Sequence, residues 1–430
     1  MKTDQIQKVH KDWYKLDLSA IVYPTLQRRD FSSVYRLSVL LKEDIDPEIL
    51  QRAVNLTMPR FPTYKAAIRK GVFWRYLEPN DRPGPFVQED VKNPCQPMHF
   101  KGNNRYLVRI YYYRNRIALE AHHSLGDGTG GMCVLQTLTA TYLRLKGHSE
   151  IENGGFVLDI LGIPDPGELE DAYMKYANAK VCPPRPGEKT YRVRGTKEPF
   201  YTLNIIDGIM SVSEVMQVAK SYNATITEYL NSVLLYALMQ KQESEWNLKL
   251  RPVKIAMPVN LRRFFPSRTL RNFITMIYPG IDPRLGEYTF EEIVTQVHNY
   301  MRYYLNEKLL RGDITTNAET QRNPFIRIVP LFIKDLVVRQ FYTKIQDKNS
   351  SAGLTNMGAL KVPETMKPYI ERFDIYMGQP FSTRTNCAIA SFEDILTINF
   401  ASSIAETDVE RLFFRKLVQD GIHVKIESNR

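Results

Sequence analysis

Seven histidines serve the 430-residue chain, and two of them are adjacent, in the segment Ala121-His122-His123-Ser124-Leu125-Gly126-Asp127-Gly128-Thr129-Gly130-Gly131. An imidazole with an ordinary pKa of about 6.5 can take a proton from a hydroxyl, thiol or amine at neutral pH and return it later. Alternation along a strand that runs into this segment puts Ile117, Leu119, Ala121 and His123 on one face, with Ala118, Glu120 and His122 on the other. The two imidazoles therefore point in opposite directions, one toward reacting groups and the other into the fold. Asp127 can orient the turn that carries His123 by pairing with an arginine from elsewhere in the chain. Gly128 leaves a backbone amide open at the start of a helix, where N–H groups and the helix dipole favour negative charge. Such a set of parts suits acyl transfer.

Two other chemistries compete for the same residues. A metal could use His122, His123 and Asp127, but opposed side chains make joint ligation awkward, and no further His, Cys or carboxylate lies nearby at ligand spacing. No metal is expected. The stretch Gly-Asp-Gly-Thr-Gly-Gly also invites a phosphate-loop reading, yet it lacks the GK[ST] ending and does not fit G-x-G-x-x-G.

The elements that must hold these residues can be traced in the pattern. Phe31 to Leu41 alternates as a strand, and Asp46 to Met58 follows as a helix with apolar positions at Ile49, Leu50, Ala53, Val54 and Met58. Arg105 to Tyr113 and Arg116 to His122 read as a hairpin around Arg114-Asn115. Thr129 to Lys146 places Met132, Leu135, Leu138 and Tyr142 on one helical face, and Gly147 marks the stop. Further on, Thr225 with Glu228, Thr289 with Glu292 and Thr407 with Glu410 have capping-box spacing; the second opens a helix running toward Leu309. Ile395 to Ala401 reads as a strand. Residues 182–199, with four prolines and two glycines, read as a linker between an N-terminal domain, 1–181, and a C-terminal domain, 200–430. Mixed strands and helices predict an α/β (α+β) chain, and the hairpins argue against a purely parallel sheet.

Composition narrows the function. At 43% hydrophobic and 24% charged residues the chain can bury a substantial core. Its apolar runs fall short of the roughly 18 residues a membrane span needs, so none is expected. The net charge of +11 comes from basic residues interspersed with acidic ones. That suits a phosphorylated co-substrate, an acidic partner or solubility alone better than nucleic acid, for which no motif is present. Cys95, Cys133, Cys182 and Cys387 are far apart and form no CxxC pair, as expected of reduced, packed thiols. The amino terminus lacks the apolar middle of a secretory signal, so the expectation is a complete, cytoplasmic chain. With 25 Tyr and 20 Phe, an apolar tunnel can be built, although aromatic residues at such spacing also make ordinary core.

The string HHSLGDG fills His-His-x-x-x-Asp-Gly and resembles the signature of the CoA-dependent acyltransferase superfamily. That group includes chloramphenicol acetyltransferase, alcohol acetyltransferases, plant BAHD enzymes, polyketide-associated acyltransferases and peptide-synthetase condensation domains. The upstream stretch LSVLLKEDIDPEILQRAVNLTMPRFP resembles the first strand, Asp-led helix and Arg-x-Pro turn of condensation-like members. Pro258-Val259-Asn260-Leu261-Arg262, followed by Arg271-Asn272-Phe273, is similar to the segment that supplies an arginine to the signature aspartate. It implies Arg262 as the partner of Asp127; a solvated basic face is the other reading of the region. Thr355-Asn356-Met357-Gly358 resembles the Ser/Thr-Asn-x-Gly element that lines the tunnel, and as a bare tetrapeptide also fits a turn. The likeness is greatest to bacterial alcohol-acetyltransferase-like proteins. The BAHD element Asp-Phe-Gly-Trp-Gly is absent, with Tyr376-Met377-Gly378-Gln379-Pro380 in that region, and membership of a large peptide synthetase, with carrier-protein or adenylation regions attached, is not expected.

The resemblance implies two chloramphenicol-acetyltransferase-like domains with mostly antiparallel sheets and a tunnel between them, His123 midway along it. It implies transfer of an acyl group, in the first instance acetyl, from a CoA or carrier-protein thioester to the hydroxyl of a small-molecule or lipid alcohol. His123 is the expected general base and Asp127 the residue that holds the site together, supported by His122, Gly128 and Arg262. Thr355 and Asn356 would meet substrate. The oxyanion donor would be the Gly128 amide or a group near Thr355 and Asn356. Acyl-CoA is a co-substrate and no resident cofactor is expected. Two other functions fit the same residues: a non-catalytic binding or scaffold protein, and a hydrolase in which His123 activates water.

Overall fold

Strand β1 (Val34–Leu41) is buried along its whole length, and it leads to α1 (Pro47–Thr57). Asp46 starts that helix by accepting the amides of Glu48 and Ile49 at 2.9 and 3.0 Å. Pro47 at the first helical position needs no donor and has its φ fixed in advance. Leu50, Ala53 and Val54 then face the core, where each large apolar side chain contributes roughly 1.5–3 kcal/mol by leaving water. A computed structural model describes residues 13–27, 31–178, 188–245, 249–378 and 383–430, so Cys182, Gln379 and Pro380 lie outside the described residues.

The first half continues with β2 (Val87–Glu89), β3 (Val108–Tyr113), β4 (Arg116–His122) and α2 (Gly128–Leu145). The second half opens with β5 (Asn204–Ser211), α3 (Val212–Ser221), α4 (Ile226–Glu243), β6 (Val253–Asn260), β7 (Ile274–Ile277) and β8 (Gly280–Ile281). Helices α5 (Phe290–Tyr304), α6 (Glu307–Arg322) and α7 (Leu331–Asn349) lead into β9 (Ala352–Ala359). Then come β10 (Ile370–Met377), β11 (Thr385–Phe392), β12 (Ile395–Ser402), α8 (Asp408–Gln419) and β13 (Lys425–Ser428).

Two main sheets result. The first has the order β10-β1-β4-β3-β2 and is antiparallel except for β2 beside β3. The second runs β7-β6-β9-β11-β12-β5-β13, with β8 also on β6; in it β9 is parallel to both of its neighbours. The mostly antiparallel, mixed architecture expected from the sequence is the one present.

Strand β10 is the seam. It lies in the second half of the sequence yet pairs with β1, Phe373 opposite Val39 and Met377 opposite Tyr35. Its other edge is closed by side chains of the second sheet: Asn399 accepts the Ile375 amide at 3.1 Å, and the Thr397 hydroxyl donates to the Phe373 carbonyl at 2.8 Å. Tyr376 adds a hydroxyl bond to Asp207 at 2.9 Å. By pairing, then, residues 370–377 complete the sheet of the first half. One apolar core likewise joins Val39, Leu119 and Leu135 to Ala388 and Phe392, while a second fills the far side of the larger sheet around Leu234, Ile255 and Phe400.

Two of four local expectations meet the structure differently. Two of the capping boxes, at Thr225 and Thr289, are formed in full. The third is not: Thr407 makes no side-chain cap. Glu410 is instead buried and accepts the Thr385 hydroxyl at 2.7 Å, a tertiary contact that wins over the local one. The helix expected to run to Leu309 stops at Tyr304, because Asn306 caps a new helix by accepting the Leu309 amide at 3.0 Å.

Candidate active site

Strand β4 ends at His122, and the next backbone unit is clamped from both halves of the chain. The His123 amide donates to the Ser33 carbonyl at 2.8 Å, and the His123 carbonyl accepts from the Asn272 side chain, also at 2.8 Å. The ring stacks on Tyr23, with centroids 4.8 Å apart and planes 20° from parallel, and touches Tyr35 at 4.6 Å. Its Nδ1 is buried with no hydrogen-bond partner among the described residues, and the residue borders a cavity. Burial pushes the imidazole down to about 4, against the pull of the nearby Asp127 carboxylate. The ring is therefore neutral at pH 7.

His122 turns the other way, as alternation requires. It is fully buried, its Nδ1 accepts the Ser124 amide at 3.2 Å, and Phe100 meets it edge-on at 5.5 Å. Desolvation lowers its pKa to about 3. This ring is a neutral part of the fold.

Asp127 caps α2, and its Oδ1 accepts the amides of Thr129 and Gly130 at 3.1 and 3.2 Å. Oδ2 accepts Arg262 Nη1 at 2.8 Å and the Phe273 amide at 2.9 Å. Arg262 comes from the turn after β6 and also donates to the carbonyls of Thr269, at 2.9 Å, and Arg271, at 2.5 Å. Asp127 is buried and Arg262 mostly so, and the ion pair works as a rivet between the halves. The glycines let the second half come this close: a Cβ on Gly130 would lie 1.9 Å from the Leu270 carbonyl oxygen, and one on Gly126 would lie 2.5 Å from it. With Thr129 and Gly130 occupied by Asp127, the Gly128 amide has no hydrogen-bond partner among the described residues, and Gly128 borders the cavity.

The cavity measures ≈ 1150 Å³ and is bordered by both halves. Met257, Met276, Met357 and Tyr278 supply apolar walls, while Arg263 and Lys361 supply cations. Thr355 and Asn356 lie on β9 and border it too. The Asn356 side chain is committed: its amide donates to the Thr227 hydroxyl at 2.9 Å, and its carbonyl accepts the Gly358 amide at 2.7 Å. Sequence reasoning passed over Tyr23 and Tyr35, which lie far from the motif, and gave no role to Asn272, although it sits in a segment already singled out. Asp17 was also missed; it is wholly buried, accepts from Asn272 at 3.1 Å and has its pKa raised by desolvation. Among the described residues no three His, Cys, Asp or Glu side chains come together as a metal site.

This arrangement of two sheets is the fold of solved acyltransferases and condensation domains. Three solved structures show it over nearly the whole chain. TRI3 trichothecene 15-O-acetyltransferase from Fusarium sporotrichioides is 13% identical, with a TM-score of 0.59, covering 95% of this chain and 94% of that one. The first condensation domain of the calcium-dependent antibiotic synthetase is 14% identical, with a TM-score of 0.61 and coverage of 96% and 99%. A mutant form of the starter condensation domain of rhizomide synthetase RzmA, in complex with C8-CoA, is 13% identical, with a TM-score of 0.59 and 97% of each chain covered. The sequence matches no protein-family profile and no curated protein sequence. The chain thus has the chloramphenicol-acetyltransferase-like architecture that its motif implies.

Proposed function

We propose that this protein is an acyltransferase that moves an acyl group from a CoA thioester to an acceptor hydroxyl, with His123 as general base. The observation that carries the reading is the neutral imidazole of His123 at the wall of the cavity between the two sheets. Binding both substrates there aligns hydroxyl, imidazole and thioester carbonyl before any bond changes. His123 Nε2 takes the acceptor proton as the oxygen attacks the carbonyl carbon. The Gly128 amide, free of the helix cap, is the donor best placed to meet the oxyanion. Collapse breaks the C–S bond, and the departing thiolate recovers the proton from the imidazolium. Asp127 keeps its place in the Arg262 rivet throughout and moves no proton. Arg263 and Lys361 suit the phosphates of the donor, and the methionine-lined walls suit an acyl chain or an apolar acceptor. The C8-CoA held by the rhizomide domain supports a CoA-linked donor.

Incubation of the purified protein with acetyl-CoA and a set of alcohols, following free thiol, tests the proposal. Thiol release that requires an acceptor supports transfer. Release without one indicates hydrolysis, and none would favour the scaffold reading. His123→Ala should lower turnover by about 10²–10⁴-fold with an unchanged circular dichroism spectrum; full activity in that variant would refute the mechanism.

A further inference from the structure

The first half of helix α7, residues 331–340, is inside out. Asp335, its one described carboxylate, faces the protein, where Thr25 donates to it at 2.8 Å and Arg75 binds it twice, at 2.8 and 2.5 Å. Lys334 bends its ammonium back to the carbonyls of Phe73 and Arg327, at 2.9 and 3.1 Å. The side chains given to solvent are Phe332, Ile333, Leu336 and Val337, a spacing that forms one stripe along the helix. An ordinary surface helix has the reverse arrangement.

The stripe does not stand alone. The short helix before it exposes Phe325 to 77% and also Ile328, and Phe332 itself is 74% exposed. The turn between two strands of the small first-half sheet adds Val72, 70% exposed, and Trp74. It is tied to the start of α7 by the Leu331 amide, which donates to the Val72 carbonyl at 2.8 Å. Around this apolar surface the charge is positive. From 323 to 340 the charged residues are the exposed Arg327, the back-bent Lys334, Arg339, whose Nε donates to the Thr25 carbonyl at 2.9 Å, and the inward-held Asp335, and Lys70 lies exposed beside the turn.

We propose that this surface docks on an anionic lipid bilayer, the apolar stripe entering the boundary between headgroups and acyl chains while Arg327 and Lys70 meet lipid phosphates. A continuous apolar patch this exposed marks a surface built for a partner. Aromatic residues with a basic fringe are the composition that lipid interfaces select. A second copy of the chain is a poorer occupant, because pairing the same patch face to face sets its cations against each other. The mode is docking rather than spanning: among the described residues no helix is long and apolar enough to cross a membrane.

Sedimentation of the full chain with vesicles of equal parts phosphatidylcholine and phosphatidylglycerol tests this. The protein should pellet with them, less with phosphatidylcholine alone, and less as salt is raised. The double variant Phe332→Asp, Leu336→Asp should bind about ten-fold or more weakly, since each exposed apolar side chain is worth at least 1.4 kcal/mol on burial. Arg327→Glu with Lys70→Glu should also weaken binding. All of these positions are exposed, so circular dichroism and thermal unfolding should match the parent chain. The proposal is overturned if the parent chain ignores the vesicles or if the double variant binds as well as the parent. It is equally overturned if the substitutions abolish self-association, or capture of an acidic protein, in a chain that binds no lipid. No acyl donor is present, so the outcome is independent of whether the acyltransfer reading holds.

Discussion

At the scale of single residues, the site is governed by what burial does to two adjacent imidazoles. His123 is held down to about 4, so the base form survives well below the ordinary histidine range. A lowered pKa means that protonation, and with it loss of the base, begins only near that value. For the acyltransfer reaction, kcat/KM should therefore stay level as pH falls through 6.5 and decline toward pH 4; an acid limb centred at 6.5 would contradict the buried ring. Arg262 belongs to the same scale. Arg262→Ala leaves the Asp127 carboxylate buried with its amide donors alone, and removal of one partner of a buried pair costs about 3–5 kcal/mol. Denaturant unfolding should show that loss, and Arg262→Lys should recover little of it, since one ammonium cannot serve the carboxylate and two carbonyls in the same geometry. The motif made His123, Asp127 and Gly128 legible because their spacing is local. Tyr23, Tyr35 and Asn272 were not, because nothing in a linear pattern says which distant ring will lie on an imidazole.

At the scale of elements, the strand-turn-helix unit β4 to α2 is fixed by close approach as much as by pattern. Gly130→Ala would drive a methyl into the Leu270 carbonyl, forcing apart the segment that carries Arg262, Asn272 and Phe273. It should destabilise by about 1–3 kcal/mol, the usual range for overpacking, and lower turnover as well, read by urea midpoint and thiol release on the same sample. Periodicity found α1, the β3–β4 hairpin and α2 to within a few residues, since their apolar faces and caps are written locally. It failed where tertiary partners outbid local ones: Glu410 leaves its cap for Thr385, and Asn306 divides a helix that apolar spacing alone would continue.

At the scale of the whole molecule, the halves are interleaved through β10. Residues 1–187 produced alone would leave β1 with a bare edge, the kind that invites aggregation. They should be insoluble or lack cooperative unfolding, and mixing or co-producing them with 188–430 should restore a single transition by differential scanning calorimetry; two independently cooperative halves would argue against the seam. No sequence reading placed 370–377 in the first sheet, because pairing over such a separation leaves no local trace. The crossing strand also constrains the order of events during synthesis. Nearly nine-tenths of the polypeptide must leave the ribosome before β1 can meet its last neighbour. A nascent chain of this protein therefore waits, with its N-terminal sheet unfinished, through most of its own translation, and that interval is when it would depend most on chaperones.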